Sequence, residues 1–247
     1  METVRSTEGL SSWKVNSVTR KAKLFTDIMT QINKIPFHSP EGQQLLQESS
    51  AFQTLLTRLF KKQENNTFCG VQSSALLLSA QHFGAKFPDV ASQKDCSLES
   101  PPYVEGNMFS YTETKAAMDE AKVDAEGCTM EQVYNLFKQH GRNIKMYHAD
   151  TVTVDEFRSL ASKALSHHDS SWGVIANFDE YDLQQDFTVH GHFSPLAAYH
   201  APTDRFLLLD TWMNTVDVWV KTEDMFAAMK TIDSDTNKYR GFIILES

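Results

Sequence analysis

Three cysteines in 247 residues, Cys69, Cys96 and Cys128, are too few and too scattered for a disulfide framework, and none stands at metal-ligand spacing from another. A cross-linked secreted scaffold and a protein-held zinc cluster are therefore not expected. No apolar run reaches the length needed to span a bilayer, which argues against a membrane protein. Basic charge is also short: 23 Lys and Arg face 32 Asp and Glu, a net −9, and no basic run is interleaved with aromatics. A nucleic-acid surface is not expected on that balance. What remains is a soluble protein of a reducing, cytoplasmic compartment whose partner is a small molecule. At 41% apolar residues the chain can bury one sizeable core, so a single domain is expected.

Residues 1–35 differ from the rest. They are rich in Ser and Thr and carry Arg5, Lys14, Arg20, Lys21 and Lys23 against only Glu2, Glu8 and Asp27, without the apolar stretch of a secretory signal. They read as an N-terminal extension, disordered or frayed, ahead of a catalytic domain at 36–247; an organelle-targeting segment, or one for export to a host cell, is the alternative.

Ser39-Pro40-Glu41 starts a helix, with Ser39 as N-cap and Pro40 at its first position. Leu45, Leu46, Phe52, Leu55, Leu56, Leu59 and Phe60 follow at helical spacing and lead into a polar loop. Cys69 to His82 is apolar on nearly every side, as a central buried helix would be. Residues 84–112, with Pro88, Pro101 and Pro102, read as a long connection. Thr129-x-x-Gln132 and Thr153-x-x-Glu156 open two capped helices, separated by a short strand at Ile144 and Met146. Strands then follow at Trp172–Phe178, His192–Tyr199, Phe206–Asp210, Val216–Val220 and Gly241–Leu245, so helices precede sheet in an α+β layout. The turn Ala201–Asp204 makes an antiparallel hairpin that brings His192 and Asp210 within about one to three residues of facing each other.

The chemistry concentrates at Cys69. It stands where the polar loop Gln63–Phe68 becomes the apolar helix, and unpaired N–H groups with the positive end of a helix dipole favour a thiolate there. A histidine and an acid on later adjoining strands complete what thiol acyl transfer requires, a proton acceptor and its orienter. Cys96 and Cys128 are expected in the core.

Gln63 with Phe68-Cys69-Gly70, Gly191-His192-Phe193-Ser194-Pro195-Leu196-Ala197-Ala198-Tyr199, and Thr203-Asp204-Arg205-Phe206 through Asp210 look like the phytochelatin synthases, papain-like thiol enzymes that act on glutathione. Ser39-Pro40-Glu41-Gly42, Trp219-Val220-Lys221-Thr222, and Thr231-Ile232-Asp233-Ser234 through Arg240-Gly241-Phe242 extend the similarity from about residue 36 to the end. The chain resembles the short bacterial type without the Cys-rich C-terminal region. The resemblance implies a papain-like cysteine-protease fold, a helical half with a central catalytic helix followed by an antiparallel sheet half. It implies Cys69 as nucleophile, His192 as general base and then acid, and Asp210 as its orienter. Gln63 would complete an oxyanion hole with the Cys69 N–H. Asp233 and Arg240 would bind the γ-glutamyl ammonium and carboxylate, with Gly191 and Gly70 giving the substrate room. No protein-bound metal or tightly bound cofactor is implied; cadmium or zinc would enter as glutathione thiolates, and a homodimer is left open.

The pattern also departs from the family. Asp210 is followed by Thr211-Trp212-Met213-Asn214-Thr215-Val216-Asp217, where the family has Arg, Lys and a Tyr-Pro-Pro segment, and there is one residue fewer before Trp219. The stretch ahead of His192, where the family carries a basic residue, holds Asp179, Glu180, Asp182 and Asp186. An acidic rim would repel a second, anionic glutathione, so the expected reaction is mainly hydrolysis to γ-glutamylcysteine. True phytochelatin synthesis and a non-catalytic glutathione or metal-thiolate binder are the alternatives.

Overall fold

The computed structural model describes residues 31–85 and 95–246. The N-terminal extension up to residue 30 and part of the long connection, 86–94, lie outside them. The Asn33 carbonyl accepts a bond from Arg205 Nη1 at 2.7 Å, and Ile35–Pro36 (β1) already belongs to the sheet.

Helix α1 (Pro40–Glu48) starts as its sequence predicts, the Ser39 hydroxyl accepting from Gly42 N at 3.0 Å. It does not run on to Phe60. Two serines interrupt it, and Ala51–Phe52 (β2) pair with Tyr199 and Ala198 before α2 (Thr54–Leu59) begins. The helical spacing of the leucines therefore spans a break, because an available strand edge outcompetes local propensity. Helix α3 (Cys69–Ala85) is the expected central helix. A 3₁₀ segment (Glu105–Ser110) occupies the later part of the connection expected at 84–112, and α4 (Thr112–Ala117) and α5 (Glu120–Glu126) follow it, each too short to show a period. Then α6 (Met130–Gln139), β3 (Asn143–His148) and α7 (Val154–Leu165) follow with both capping boxes formed.

The remainder is β4 (Gly173–Asp179), α8 (Glu180–Leu183), β5 (Gly191–His200), β6 (Arg205–Leu208), β7 (Val218–Lys221), α9 (Thr222–Met229), β8 (Ile232–Asp233), β9 (Lys238–Tyr239) and β10 (Gly241–Glu246). An eight-stranded antiparallel sheet runs β1-β7-β6-β5-β4-β10-β3, with β2 joined to β5, and β8 and β9 form a separate hairpin. The fold is α+β, a mainly helical first half against a sheet in the second. Among the described residues no helix is long and apolar enough to cross a membrane.

Two kinds of contact bind α3 to the sheet. Val71, Ala75, Leu76, Leu77 and Leu78 are buried, and Leu77 packs on the backbone at Gly173 of β4. The buried polar side chains act as pegs: Ser73 Oγ donates to Phe193 O at 3.0 Å, Gln81 Nε2 to Ser171 O at 2.7 Å, Ser79 Oγ to Tyr103 O at 2.8 Å and Gln72 Nε2 to Lys61 O at 2.7 Å. Each satisfies a backbone carbonyl while fixing the helix's rotation and height against its neighbours. The Ser73 bond ends one residue from His192. Ser73→Ala is expected to cost about 1 kcal/mol in denaturant-induced unfolding; stability equal to wild type would show that this peg is dispensable.

Candidate active site

Cys69 is the first residue of α3, reached through a loop held from several directions. Gln63 N donates to Thr211 O at 2.8 Å, and the Glu105 carboxylate takes Glu64 N and Asn65 N at 2.9 and 2.7 Å. The sulfur is thus placed at the positive end of the helix by an anchored loop.

His192 is the second residue of β5, and Asp210 lies just past β6. Leu196 pairs with Leu208, so continuing the ladder sets Ser194 opposite Asp210 and leaves His192 two residues further on. That is within the range predicted from the turn. Asp210 Oδ1 lies 3.1 Å from His192 Nε2 and takes Trp212 N at 3.0 Å; Oδ2 takes Gln185 Nε2 at 3.2 Å. With Nε2 on the carboxylate, the other ring nitrogen is not taken by Asp210, and Cys69 lines the same cavity as the imidazole. Burial alone would strip the proton from His192. The interactions with Asp210 and Cys69, charges included, outweigh it and hold the imidazolium well above the ordinary histidine range. Asp210 is buried too, which disfavours its charge, but the bond and charge of His192 keep its acidity stronger than usual.

Several residues around this pair were not read from the sequence as its neighbours. Ser194 Oγ and Thr211 Oγ1 lie 3.0 and 3.4 Å from Nε2, and Asn177 Nδ2 donates to His192 O at 3.1 Å. The Trp212 ring stands edge-on to the imidazole, 6.5 Å between centroids, and its Nε1 donates to Asp186. Glu180 Oε1 lies 3.5 Å from Nε2, fully buried. Position in the strand could have flagged Ser194, which shares a face with His192. Nothing local marks the others.

A cavity of about 340 Å³, within the usual size range of small-molecule sites, is lined by Cys69, His192, Gly191, Asp233 and Arg240 together. Arg240 is not the exposed residue its position beside a polar loop suggests: it is 6% accessible, with Nη1 donating to Thr231 Oγ1 and Ile232 O at 3.0 and 2.8 Å. Its Nε–Nη2 edge lies against Gly191, where a Cβ would come within 3.0 Å of Nη2. Gly191 therefore gives the guanidinium its space. Asp233 accepts from Asp235 N and Thr236 Oγ1, each at 3.0 Å.

Two expectations change. Gly70 does not line the cavity; it is buried, and a Cβ there would strike Cys128 Sγ at 2.3 Å, so its smallness accommodates Cys128 rather than substrate. Cys128 packs against the core as a half-buried residue and also borders the cavity. The acidic rim is not a rim. Asp179 and Glu180 are buried, Asp186 bonds Thr188 and Trp212, and only Asp182 is exposed; none of the four lines the cavity. Asp179 caps α8 and lies 3.7 Å from Arg240, which explains the inward turn. Gln63 stands beside the triad, its Oε1 accepting from Thr211 Oγ1 at 3.2 Å, but its amide N–H groups bond Asn65 O and Asn66 O at 2.9 and 3.2 Å. The opposite amide orientation would set an oxygen against those two carbonyls.

The chain is 27% identical to the glutathione gamma-glutamylcysteinyltransferase 1 of Triticum aestivum over 91% of its own length and 43% of that protein's. It is 26% identical to the Lotus japonicus protein of the same name over 91% and 42%. It thus spans less than half the length of the curated relatives it matches. Among solved structures, a fragment of Prevotella intermedia prointerpain A aligns with 98% of this chain and 84% of its own, at 12% identity and a TM-score of 0.36. The phytochelatin synthase family model matches residues 25–242, nearly the whole chain, and with that match the chain belongs to the phytochelatin synthase family.

Proposed function

We propose that this protein cleaves the Cys–Gly bond of glutathione through a thioester on Cys69. The observation that carries the reading is the cavity that joins Cys69 and the hydrogen-bonded His192–Asp210 pair to the Asp233 and Arg240 side chains. A γ-glutamyl end presents an ammonium and a carboxylate on one carbon. Asp233 suits the first, and the Nε–Nη2 edge of Arg240 suits the second in a two-bond grip. A binder without turnover would have no use for a desolvated base and its orienter.

With the γ-glutamyl end held, the Cys69 sulfur attacks the cysteinyl carbonyl. The Cys69 N–H at the helix start would bind the oxyanion, and the Gln63 amide would join it on releasing Asn65 or Asn66. The tetrahedral intermediate collapses as the C–N bond breaks and His192 gives its proton to the departing glycine. Water then attacks the thioester, His192 takes its proton, and the C–S bond breaks to free γ-glutamylcysteine and the thiolate. No protein-held metal enters these steps; a metal–glutathione thiolate would be substrate. A reducing compartment such as the cytoplasm suits an enzyme with an exposed-to-substrate thiol.

Hydrolysis is the favoured outcome because of the charges that line the cavity. The lining carries Glu126, Asp233 and Asp235, and among its described residues Arg240 is the one Lys or Arg, already engaged by the donor. A second glutathione acting as acceptor finds no further cation there. Glycine and γ-glutamylcysteine should exceed (γ-Glu-Cys)ₙ-Gly oligomers when the protein is incubated with millimolar glutathione, with or without cadmium, and products are resolved by mass spectrometry. Predominant oligomers would establish transfer instead, and absence of all products, binding alone. Cys69→Ser should release no glycine while keeping its circular dichroism spectrum.

Two further outcomes follow from the geometry. Arg240→Ala should raise KM for glutathione and slow acylation, since the remote end positions the carbonyl. Gly191→Ala, by displacing the guanidinium, should raise KM more than it lowers kcat; unchanged kinetics in both would move the γ-glutamyl site elsewhere. Acylation needs protonated His192, so the rate is retained at neutral pH and lost as pH rises through a raised pKa. The alkaline edge of kcat/KM should therefore lie above about 6.5, the ordinary histidine value. Asp210→Ala should move that edge down, and an unmoved edge would show that the carboxylate does not hold the imidazolium.

A further inference from the structure

Glu180 has no part in the steps above, yet it lies in the middle of their machinery. It is the first residue of α8, fully buried, and its backbone N donates to His190 O at 2.9 Å. Its Oε1 is 3.5 Å from His192 Nε2, and ligand-type atoms of Glu180, His192 and Asp210 all fall within 4.8 Å of one another. Neither carboxyl oxygen receives a hydrogen bond from a protein donor. The Nε2 proton faces Asp210 Oδ1 at 3.1 Å, closer than Glu180. A buried carboxylate with no donor is unfavourable, and more so beside a second carboxylate.

The nearness of Asp210, which offers a carboxyl oxygen within 4.8 Å of one of Glu180, resolves the conflict if one of the two is protonated. Two ionised carboxylates are both acceptors and can only repel, whereas a protonated carboxyl can donate to an ionised one. Asp210 is the better anion of the two because it already takes the Trp212 N–H, the Gln185 amide and the imidazole proton. We propose that Glu180 is a positioning residue of the triad, a neutral carboxylic acid that donates its proton in a hydrogen bond to Asp210 and so fixes that carboxylate against His192 Nε2. The charges bearing on Glu180 are consistent with this assignment. Burial and the Asp210 charge raise its pKa well above the carboxylate range, against smaller opposing effects of His192 and of Lys34 from the segment before β1. The Lys34 ammonium is itself bonded to Leu183 O and Gln184 O, at the end of α8.

The inference depends on the proposed thiol chemistry only for its kinetic readout, so the test uses two independent ones. The first is the pH dependence of Cys69 alkylation by iodoacetamide, which reports the sulfur–imidazolium pair without turnover. The second is glycine release from glutathione. Glu180→Gln keeps a donor and carries no charge. It should preserve the alkaline edge of alkylation to within about 0.3 pH unit and keep at least about a third of the glycine-release rate. Glu180→Leu removes the donor and should lower glycine release about tenfold or more. In the infrared spectrum, a buried carboxylic C=O band present at neutral pH should vanish in Glu180→Gln, which decides the protonation state even if the leucine variant does not fold.

If Glu180 were ionised, replacing it with Gln would remove a negative charge beside the imidazole and shift the alkylation edge down by about a unit or more. That shift, or wild-type glycine release in a folded Glu180→Leu, would overturn the proposal. So would one equivalent of zinc held through dialysis by the wild type and lost from Glu180→Gln, because a metal ligand must be ionised. Failure of the wild type to release glycine, with the alkylation and infrared results as expected, would overturn the glutathione reading and leave the Glu180 assignment standing.

Discussion

The bond between His192 and Asp210 is the interaction on which the rest of this site depends, because it is made where water does not reach. Both side chains are essentially inaccessible. An imidazolium there would ordinarily be too costly to keep, and an isolated carboxylate likewise; each is tolerated because the other is present with its remaining positions filled. The filling is done by the chain on every side: Trp212 N and Gln185 on Asp210, Ser194 and Thr211 around Nε2, and the Lys62 ammonium on the Asp210 carbonyl. A buried pair supported in this way has one geometry rather than several. That single geometry is what a proton relay to a sulfur requires.

The helical half and the sheet meet so as to exploit that fixed pair. Helix α3 brings Cys69 to the seam, and its buried serines and glutamines lock it to the backbone of the strand bearing His192 and of neighbouring loops. The opposite wall of the cavity is built from the β8–β9 hairpin and the Arg240 residue that follows it, whose guanidinium is secured by Thr231 and Ile232 and given space by Gly191. The His192 and Arg240 ends of the cavity are therefore joined through one continuous sheet, β4 linking β5 to β10. The charge of the site is divided accordingly, with the acids nearest the triad turned inward and the cavity left with a single guanidinium.

Much of this was legible in the order of residues because the signals were local. Ser39, Thr129 and Thr153 cap helices where their spacing says they should, and the Ala201–Asp204 turn placed His192 and Asp210 within two residues of their actual alignment. Loss of legibility came where tertiary contacts decide. Ala51 and Phe52 leave the helix their neighbours suggest because β5 offers a strand edge. Glu180 and Asp179, charged residues in a polar stretch, read as solvent-facing and are instead buried, one against Asp210 and the other beside Arg240. Gly70 carries no mark of its true neighbour, since Cys128 is far away in the chain and meets it only after folding.

The central claim is that Cys69 becomes acylated by the γ-glutamylcysteinyl part of glutathione. Acid-quenched protein taken within the first turnovers, digested and analysed by mass spectrometry, tests it most directly. The account predicts one γ-glutamylcysteinyl group on the peptide containing Cys69, labile to hydroxylamine as a thioester must be and absent from Cys69→Ser. Glycine release with that peptide unmodified throughout, or the same adduct on Cys128, would contradict it.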